Sequence, residues 1–214
     1  HGMLDVATQL DDADMFAVAM PEEAYALRAA GCSKAIIVLH GFKDADELKR
    51  FSKLNLSSVI HQQAQLDILL ENNISPAIDA WLKVDTGMHR LGIALHRVDD
   101  FFGQLRNNKN VANVFLMSHL ANAGDVGNAL NNIQLNNFLK VTNDIDVDCS
   151  MANSAAIMRL PKSHFEVVRP GIMLYGSSPF DGIPAADLVL QAVLQFVSSL
   201  RDINVIKSVD STAY

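Results

Sequence analysis

The 214-residue chain is half hydrophobic and 19% charged, and its 17 basic and 24 acidic side chains give a formal charge of −7. This composition allows one large core and excludes an intrinsically disordered chain. An acidic chain without a cluster of basic residues is a poor ligand for nucleic acid or for an anionic membrane surface, and no apolar run approaches the roughly 18 residues of a membrane span. Cys32 and Cys149 provide no disulfide framework, so we expect a reducing cytoplasm.

Short apolar runs alternate with helical patterns along most of the chain. The predicted strands, in chain order, are Met15–Met20, Ala35–His40, Ser58–His61, Ile78–Val84, Val114–His119, Val147–Met151 and Val167–Tyr175. The predicted helices begin with one from Pro21 to Gly31 and continue with Asp44–Leu54, Gln63–Leu70, Val98–Arg106, Asn131–Val141 and Ser154–Met158. The Asn-rich stretch Asn128–Asn137 is interpreted as a polar helix face. Strands separated by helices pair in parallel through right-handed crossovers and are buried on both faces.

This alternation predicts an α/β fold, a (β/α)8 barrel of the TIM type. Seven strands are identified where a closed barrel has eight, and the first residues are typical of the loop and helix that follow a strand, so we expect the chain to lack the first strand. After Pro184, the apolar runs Leu188–Ser199 and Ile203–Val209 have no following helix. They predict the opening strands of a second, β-rich domain, with the barrel over 1–184 and the second domain over 185–214.

Polar side chains follow several predicted strands, at the end of a barrel where active sites lie. Lys83 and Asp85 share one face of their strand because side chains alternate, and Arg90 follows closely. These three charges predict either a structural ion cluster or a functional site, and spacing alone does not separate the two. His119 ends another strand, where a hydrogen-bonded structural histidine is the more frequent case.

The last two predicted strands carry the more informative residues. Ser154 offers a hydroxyl, and Gly171 allows close backbone approach, so the N–H groups of Gly171 and Ile172 could face phosphate oxygens. The alternative is a helix cap at Asn153 and Ser154 followed by an ordinary Pro-Gly turn. The His and Cys residues show no metal-ligand spacing.

Four ordered motifs give these residues a context. They are Lys83–Gly92 (KVDTGMHRLG), Ser118–Ala123 (SHLANA), Ala152–Ala156 (ANSAA) and Arg169–Gly176 (RPGIMLYG). In this order and at this spacing the chain resembles the alanine racemase family over nearly its whole length. The resemblance implies a barrel that binds pyridoxal 5′-phosphate at its mouth, together with a separate β domain.

The resemblance also implies roles for the residues around the cofactor. Ser154 and the backbone of Gly171 and Ile172 hold the phosphate, with Asn153 beside them, and Arg169 faces the pyridine nitrogen. An arginine there disfavours protonation of that nitrogen and so weakens the ring as an electron sink.

Three further residues receive roles from the same resemblance. His119 lies against the ring and supports Arg169. Arg90 contacts the phenolic oxygen of the cofactor and the carboxylate of the substrate. Lys83 is carbamylated in many members and then holds Arg90, although a free Lys83 amine paired with Asp85 is the alternative.

The implied reaction interconverts L- and D-alanine, supplies D-alanine for peptidoglycan, and occurs in a head-to-tail homodimer. The lysine that binds the cofactor and the tyrosine that acts as the second base are expected outside this chain, so no catalytic base is assigned here and the chain alone is expected to be inactive. The alternatives are a serine or broad-specificity racemase, a non-catalytic protein that binds pyridoxal phosphate, and an inactive remnant.

Overall fold

A parallel sheet forms the centre of the molecule in the computed structural model, which describes residues 2–195, 197–201 and 205. Its strands are β1 (Met15–Val18), β2 (Ala35–Val38), β3 (Ser57–Ile60), β4 (Ile78–Asp85), β6 (Val111–Met117) and β7 (Cys149–Ser150), and the two-residue β5 (Ile93–Ala94) pairs with β4 alone. The helices are α1 (Met3–Gln9), α2 (Pro21–Ala29), α3 (Ala45–Lys53), α4 (Gln63–Glu71), α5 (Val98–Arg106), α6 (Ala129–Thr142) and α7 (Ser154–Arg159).

The strand order identifies the type of α/β fold. Apart from β5, each strand pairs in parallel with the next one along the chain, in the order β1-β2-β3-β4-β6-β7, and the order never reverses. A doubly wound sheet reverses its order at a switch point, whereas a (β/α) barrel does not. The expected barrel architecture is therefore confirmed for this part of the chain. Within the described residues β1 pairs only with β2, and β7 is followed by a single bridge between Ser150 and Val167.

The two faces of the sheet carry two separate cores because side chains alternate along each strand. The larger core lies between the sheet and the helices and includes Val38, Leu82 and Leu116. The smaller core lies on the opposite face, where Trp81 packs with Met117 and stacks on Phe115 at a ring distance of 4.5 Å. Lys83 follows Trp81 by two residues, so alternation directs it to this inner face.

Two predicted strands are wrong. Val167–Tyr175 contains only the bridge at Val167, and residues Ile172–Tyr175 form a 3-10 turn instead. The Pro-Gly pair at 170–171 interrupts this segment because proline has no N–H to donate to a sheet. The run Leu188–Ser199 forms no strand in its described residues, where Val193 makes a single backbone hydrogen bond, to the Tyr175 carbonyl at 3.4 Å, and no ladder follows. The predicted strand Ile203–Val209 lies outside the described residues except for Val205.

Candidate functional site

Arg169 lies at the centre of the residues gathered at the carboxyl ends of β4, β6 and β7. One terminal nitrogen of its guanidinium donates to the Ser150 hydroxyl, and the other donates to the Ser118 carbonyl at 2.6 Å and contacts the Met151 carbonyl at 3.4 Å. Its own backbone N–H donates to the Ala152 carbonyl. No carboxylate pairs with this guanidinium in the part of the chain that the structure describes. Burial lowers the pKa of Arg169 to about 10, which leaves it charged at neutral pH.

His119 directly adjoins Arg169. Its Nδ1 atom lies 3.4 Å from the second terminal guanidinium nitrogen of Arg169, which can only donate, so Nδ1 is the acceptor and the ring proton belongs on Nε2. Burial, followed by the charges of Arg169, Lys83 and Arg90, lowers the pKa of His119 to about 4. His119 is therefore neutral at pH 7.

Lys83 is buried on the inner face of β4 and forms no ion pair with a carboxylate among the described residues. The residue is 9% exposed, and burial, followed by the charges of Arg90 and Arg169, lowers its pKa to about 8. Among the described residues Lys83 forms no ion pair with Asp85, although the charge of Asp85 raises its pKa, so the alternative of a free amine paired with Asp85 stays a prediction. The Asp85 carboxylate instead accepts the backbone N–H groups of Gly87, Met88 and His89 and bonds the His89 ring at 2.9 Å. These bonds close the turn after β4 and direct the Asp85 carboxylate to that turn.

That turn presents Arg90 at the surface. His89 adopts a φ of 56° and Gly87 a φ of 139°, so the chain reverses direction immediately before Arg90. Arg90 is exposed, and among the described residues it forms no ion pair. The predicted structural ion cluster of Lys83, Asp85 and Arg90 is therefore absent from this region. Instead, an exposed guanidinium stands near a buried amine, which suits binding of a carboxylate from solution.

Ser154, Gly171 and Ile172 lie together, as their motifs predict. The Ser154 hydroxyl oxygen, in a residue only 5% exposed, accepts the N–H of Gly171 at 2.8 Å and that of Met173 at 3.4 Å. Because two donors already occupy the oxygen, the hydroxyl proton is available to a further acceptor. A Cβ atom on Gly171 would contact only the Ser154 Oγ atom, at 3.9 Å, so the space in front of the glycine is open.

Asn153 serves mainly as a cap. Its side-chain oxygen accepts the Ala156 N–H at the start of α7, and its amide nitrogen contacts the Leu120 carbonyl at 3.4 Å. Both polar groups of Asn153 are thereby used within the chain. Cofactor contact by Asn153 stays a prediction, whereas its alternative role as a helix cap is confirmed.

Comparisons with known proteins decide the family. Residues 1–179 match the family described as alanine racemase, N-terminal domain. The chain is 42% identical to the alanine racemase of Nitrosococcus oceani over 100% of its own length and 60% of that protein. It superposes on the crystal structure of the biosynthetic alanine racemase from Pseudomonas aeruginosa with a TM-score of 0.86 and 40% identity, covering 90% of this chain and 54% of that one.

The chain belongs to the alanine racemase family. A further solved structure, the alanine racemase of Bartonella henselae with covalently bound pyridoxal phosphate, superposes with a TM-score of 0.70 and 28% identity over 82% of this chain and 52% of that one. The chain thus spans about 60% of the length of the curated relatives that it matches. In the region that the structure describes, no helix has both the length and the apolar character to cross a membrane.

Sequence reasoning assigned no role to four buried polar residues that lie in or beside the alanine racemase motifs. Thr86, Ser118, Gln134 and Ser150 are each at most 2% exposed, and each hydrogen bonds to a strand end or to Arg169. The interpretation of Asn128–Asn137 as a polar helix face is wrong at Gln134, which points inward from α6. A signal existed, because Gln134 lies four residues from both Leu130 and Phe138 in the apolar stripe of that helix.

Proposed function

We propose that the complete protein containing this chain is a pyridoxal 5′-phosphate-dependent alanine racemase that interconverts L- and D-alanine. Membership of the family supports this proposal, and one observation carries it to the residues: Arg169 contacts His119 at the strand ends, and the buried Lys83 lies on the adjacent strand β4. The names of the relatives favour alanine over serine or a broad substrate range, and they favour an enzyme over a non-catalytic binding protein.

The residues present fit the cofactor. A phosphate monoester needs several hydrogen-bond donors and an open approach, and the Ser154 hydroxyl, the Ile172 N–H and the open face of Gly171 supply them. In addition, the Ile172 N–H has no hydrogen-bond acceptor among the described residues. Arg169 offers a charged donor to the ring nitrogen. When bound, the cofactor supplies an electron sink for the pair left on Cα after a proton is removed.

Arg169 and His119 form one unit in this proposal. His119 accepts from Arg169 only while its Nδ1 is unprotonated, and its lowered pKa keeps it so throughout the neutral range. Arg169 remains a cation, which disfavours a second positive charge on an adjacent ring nitrogen. The two residues would thereby limit how much negative charge the ring withdraws, and so restrict side reactions of the deprotonated amino acid.

Arg90 and Lys83 form the substrate side. The exposed Arg90 guanidinium suits the bidentate binding of an amino acid carboxylate. With a pKa of about 8, about one tenth of Lys83 is uncharged at pH 7, and an uncharged amine is the form that reacts with carbon dioxide. The resulting carbamate would place a negative charge beside Arg90 and hold it.

Racemisation removes a proton from one face of Cα and returns one to the other, so it requires two bases. We propose that a lysine and a tyrosine outside this chain provide them, with the tyrosine coming from the partner in a homodimer. The 214-residue chain by itself would then show no turnover. Two free cysteines, one of them buried, suit a cytoplasmic enzyme that supplies D-alanine for peptidoglycan.

The test is an assay of the protein at its natural length. Purified protein is titrated with pyridoxal 5′-phosphate by visible absorbance and then incubated with L-alanine or L-serine, and the D-isomer is quantified. Cofactor binding with formation of D-alanine in preference to D-serine supports the proposal. Cofactor binding without racemisation of either amino acid would leave a binding protein in its place.

A further inference from the structure

Gln134 on α6 is completely buried, at 0% exposure, yet every hydrogen-bonding group of its side chain has a partner. Its amide oxygen accepts the Ala121 N–H at 2.9 Å. Its amide nitrogen donates to the His119 carbonyl at 2.9 Å and to the Thr86 hydroxyl at 3.2 Å. One side chain therefore connects two loops, the one after β4 that leads to Arg90 and the one after β6 that contains His119.

The hydrogen bonds that join Gln134, Thr86 and Ser118 allow only one assignment of donors and acceptors. The Ser118 hydroxyl donates to the Val84 carbonyl at 3.0 Å, and it lies 2.8 Å from the Thr86 hydroxyl. Each hydroxyl carries one proton, so Thr86 must donate to Ser118, and Gln134 must donate to Thr86. Only a side chain with an N–H group at position 134 completes this arrangement, because an oxygen there would face two atoms that must accept.

The same loops make the contacts with the cationic residues. The Ser118 carbonyl accepts from Arg169 at 2.6 Å, and the next carbonyl in the chain, that of His119, accepts from Gln134. The segment that carries His119 is thus fixed between Arg169 on one side and Gln134 on the other. Asn137, one turn further along α6, donates to the Thr86 carbonyl at 3.2 Å and fixes the second loop again.

We propose that Gln134 is a positioning residue that sets His119 and Arg90 at the correct separation for the cofactor and for the substrate carboxylate. This inference rests on the proposed function, because it assigns Gln134 a role in that site. Gln134 itself contacts neither ligand. It acts through the Thr86 and Ser118 hydroxyls and through the backbone of His119.

Gln65 provides a matched control in the same fold. It is 1% exposed and lies on α4, where its amide oxygen accepts the His61 N–H at 2.9 Å and its amide nitrogen donates to the His40 carbonyl at 3.0 Å. It thus connects the loops after β2 and β3, which contain none of the residues assigned to the site. Gln65→Glu and Gln134→Glu make the same change in similar burial.

The experiment compares these variants in the protein at its natural length. The dissociation constant of pyridoxal 5′-phosphate is measured at a temperature well below the unfolding of both variants, and hydrogen exchange is measured without cofactor over residues 86–92 and 118–123. Both variants should lower the melting temperature. Gln134→Glu should weaken cofactor binding by about tenfold or more and increase exchange in both loops, whereas Gln65→Glu should do neither.

A second pair of variants covers the case in which Gln134→Glu fails to fold. Thr86→Val removes the hydroxyl at constant shape and should weaken cofactor binding, as Gln134→Glu does. Thr86→Ser keeps the hydroxyl and should bind the cofactor with wild-type affinity. Equal cofactor affinities in the two Glu variants, or increased exchange around residue 121 alone, would overturn the inference. Failure of the wild-type protein to bind pyridoxal phosphate would instead contradict the proposed function, and hydrogen exchange would still decide whether Gln134 holds the two loops.

Discussion

In two sectors of the sheet a buried glutamine connects two strand-end loops, but the residues in those loops differ. In the sector of β2 and β3, the buried Gln65 connects two strand-end loops through backbone groups. Its contacts end at the carbonyls of His40 and Phe42, and the His61 ring also contacts the His40 carbonyl at 3.0 Å. In the sector of β4, β6 and β7, the buried Gln134 makes an equivalent connection. There, however, the contacts continue through two hydroxyls and a carbonyl to Arg169.

Both sectors should therefore contribute to stability, and only the second should contribute to cofactor binding. A buried amide that satisfies backbone groups stabilises loops in either sector, because unpaired polar groups are costly to bury. The second sector adds the buried cations Lys83 and Arg169, which form no ion pair among the described residues, and such an arrangement is unfavourable for folding unless a ligand supplies the negative charge. We therefore expect equal stability losses from equivalent changes in the two sectors, and unequal losses of cofactor affinity.

Glycine substitutions should produce the largest effects. A Cβ atom at Gly92 would lie 2.7 Å from the Asp85 nitrogen, and one at Gly41 would lie 2.4 Å from the Val59 carbonyl oxygen; both glycines have a positive φ. Gly92→Ala and Gly41→Ala should each cost about 3 kcal/mol or more in urea unfolding. Only Gly92→Ala should also weaken cofactor binding.

The control for this pair is Gly31→Ala, where φ is 86° but no atom lies within 4 Å of the added Cβ. Its cost should be about 1 kcal/mol, from backbone conformation alone. Equal costs at all three glycines would show that close approach of the loops contributes nothing.

His119 should produce the next largest effect, and it depends on pH. Because its folded pKa is about 4 and its unfolded value is 6.5, the unfolded chain binds the extra proton between these values, and stability falls as the pH drops through that window. His119→Gln should remove up to about 2 kcal/mol of the stability lost between pH 7 and pH 5. Urea unfolding at the two pH values measures this, and an unchanged pH dependence would contradict a buried, neutral His119.

Lys83 should affect stability less but give a spectroscopic signal. Replacing a buried amine that lacks a carboxylate partner by a side chain of similar length is nearly neutral, so Lys83→Met should change the free energy of unfolding by less than about 1 kcal/mol. In protein equilibrated with ¹³C-labelled carbon dioxide, a carbamate resonance should strengthen from pH 6 to pH 8, as the uncharged fraction of Lys83 rises. The resonance should disappear in Lys83→Met and persist in Lys109→Met.

A surface ion pair outside both sectors should show the smallest effect. Lys49 and Asp46 lie 3.2 Å apart on α3, with side chains 51% and 94% exposed. Asp46→Asn should change the free energy of unfolding by less than about 0.5 kcal/mol and leave cofactor binding unaltered. A stability loss above about 1 kcal/mol would contradict the small contribution expected of an exposed ion pair.

Hydrophobic pattern predicted the elements well wherever a strand is buried on both faces. Helix Val98–Arg106 has its predicted bounds, and Ile78–Val84 is one residue short of β4. The pattern was wrong for Val167–Tyr175, where apolar residues follow a Pro-Gly pair that prevents regular pairing. The two-residue β5 was missed because so short a strand has no periodicity to detect.

The sequence predicted which residues lie in the candidate site better than it predicted the hydrogen bonds between them. The motifs correctly indicated that Ser154, Gly171 and Ile172 would lie close together. Alternation correctly put Lys83 and Asp85 on one strand face, but it could not reveal that Asp85 turns to three loop amides. The hydrogen bonds of Gln134 could not be predicted, because they depend on which loops α6 packs against in the folded sheet.

The central claim is that the sector of β4, β6 and β7 binds pyridoxal 5′-phosphate, with the Ser154 hydroxyl on its phosphate. The most direct test measures the dissociation constant of the cofactor in the natural-length protein and in two variants that each remove one buried hydroxyl, Ser154→Ala and Ser58→Ala, the second from β3 in the other sector. We predict binding about tenfold weaker in Ser154→Ala and unchanged in Ser58→Ala. Equal affinities in all three proteins would contradict the claim.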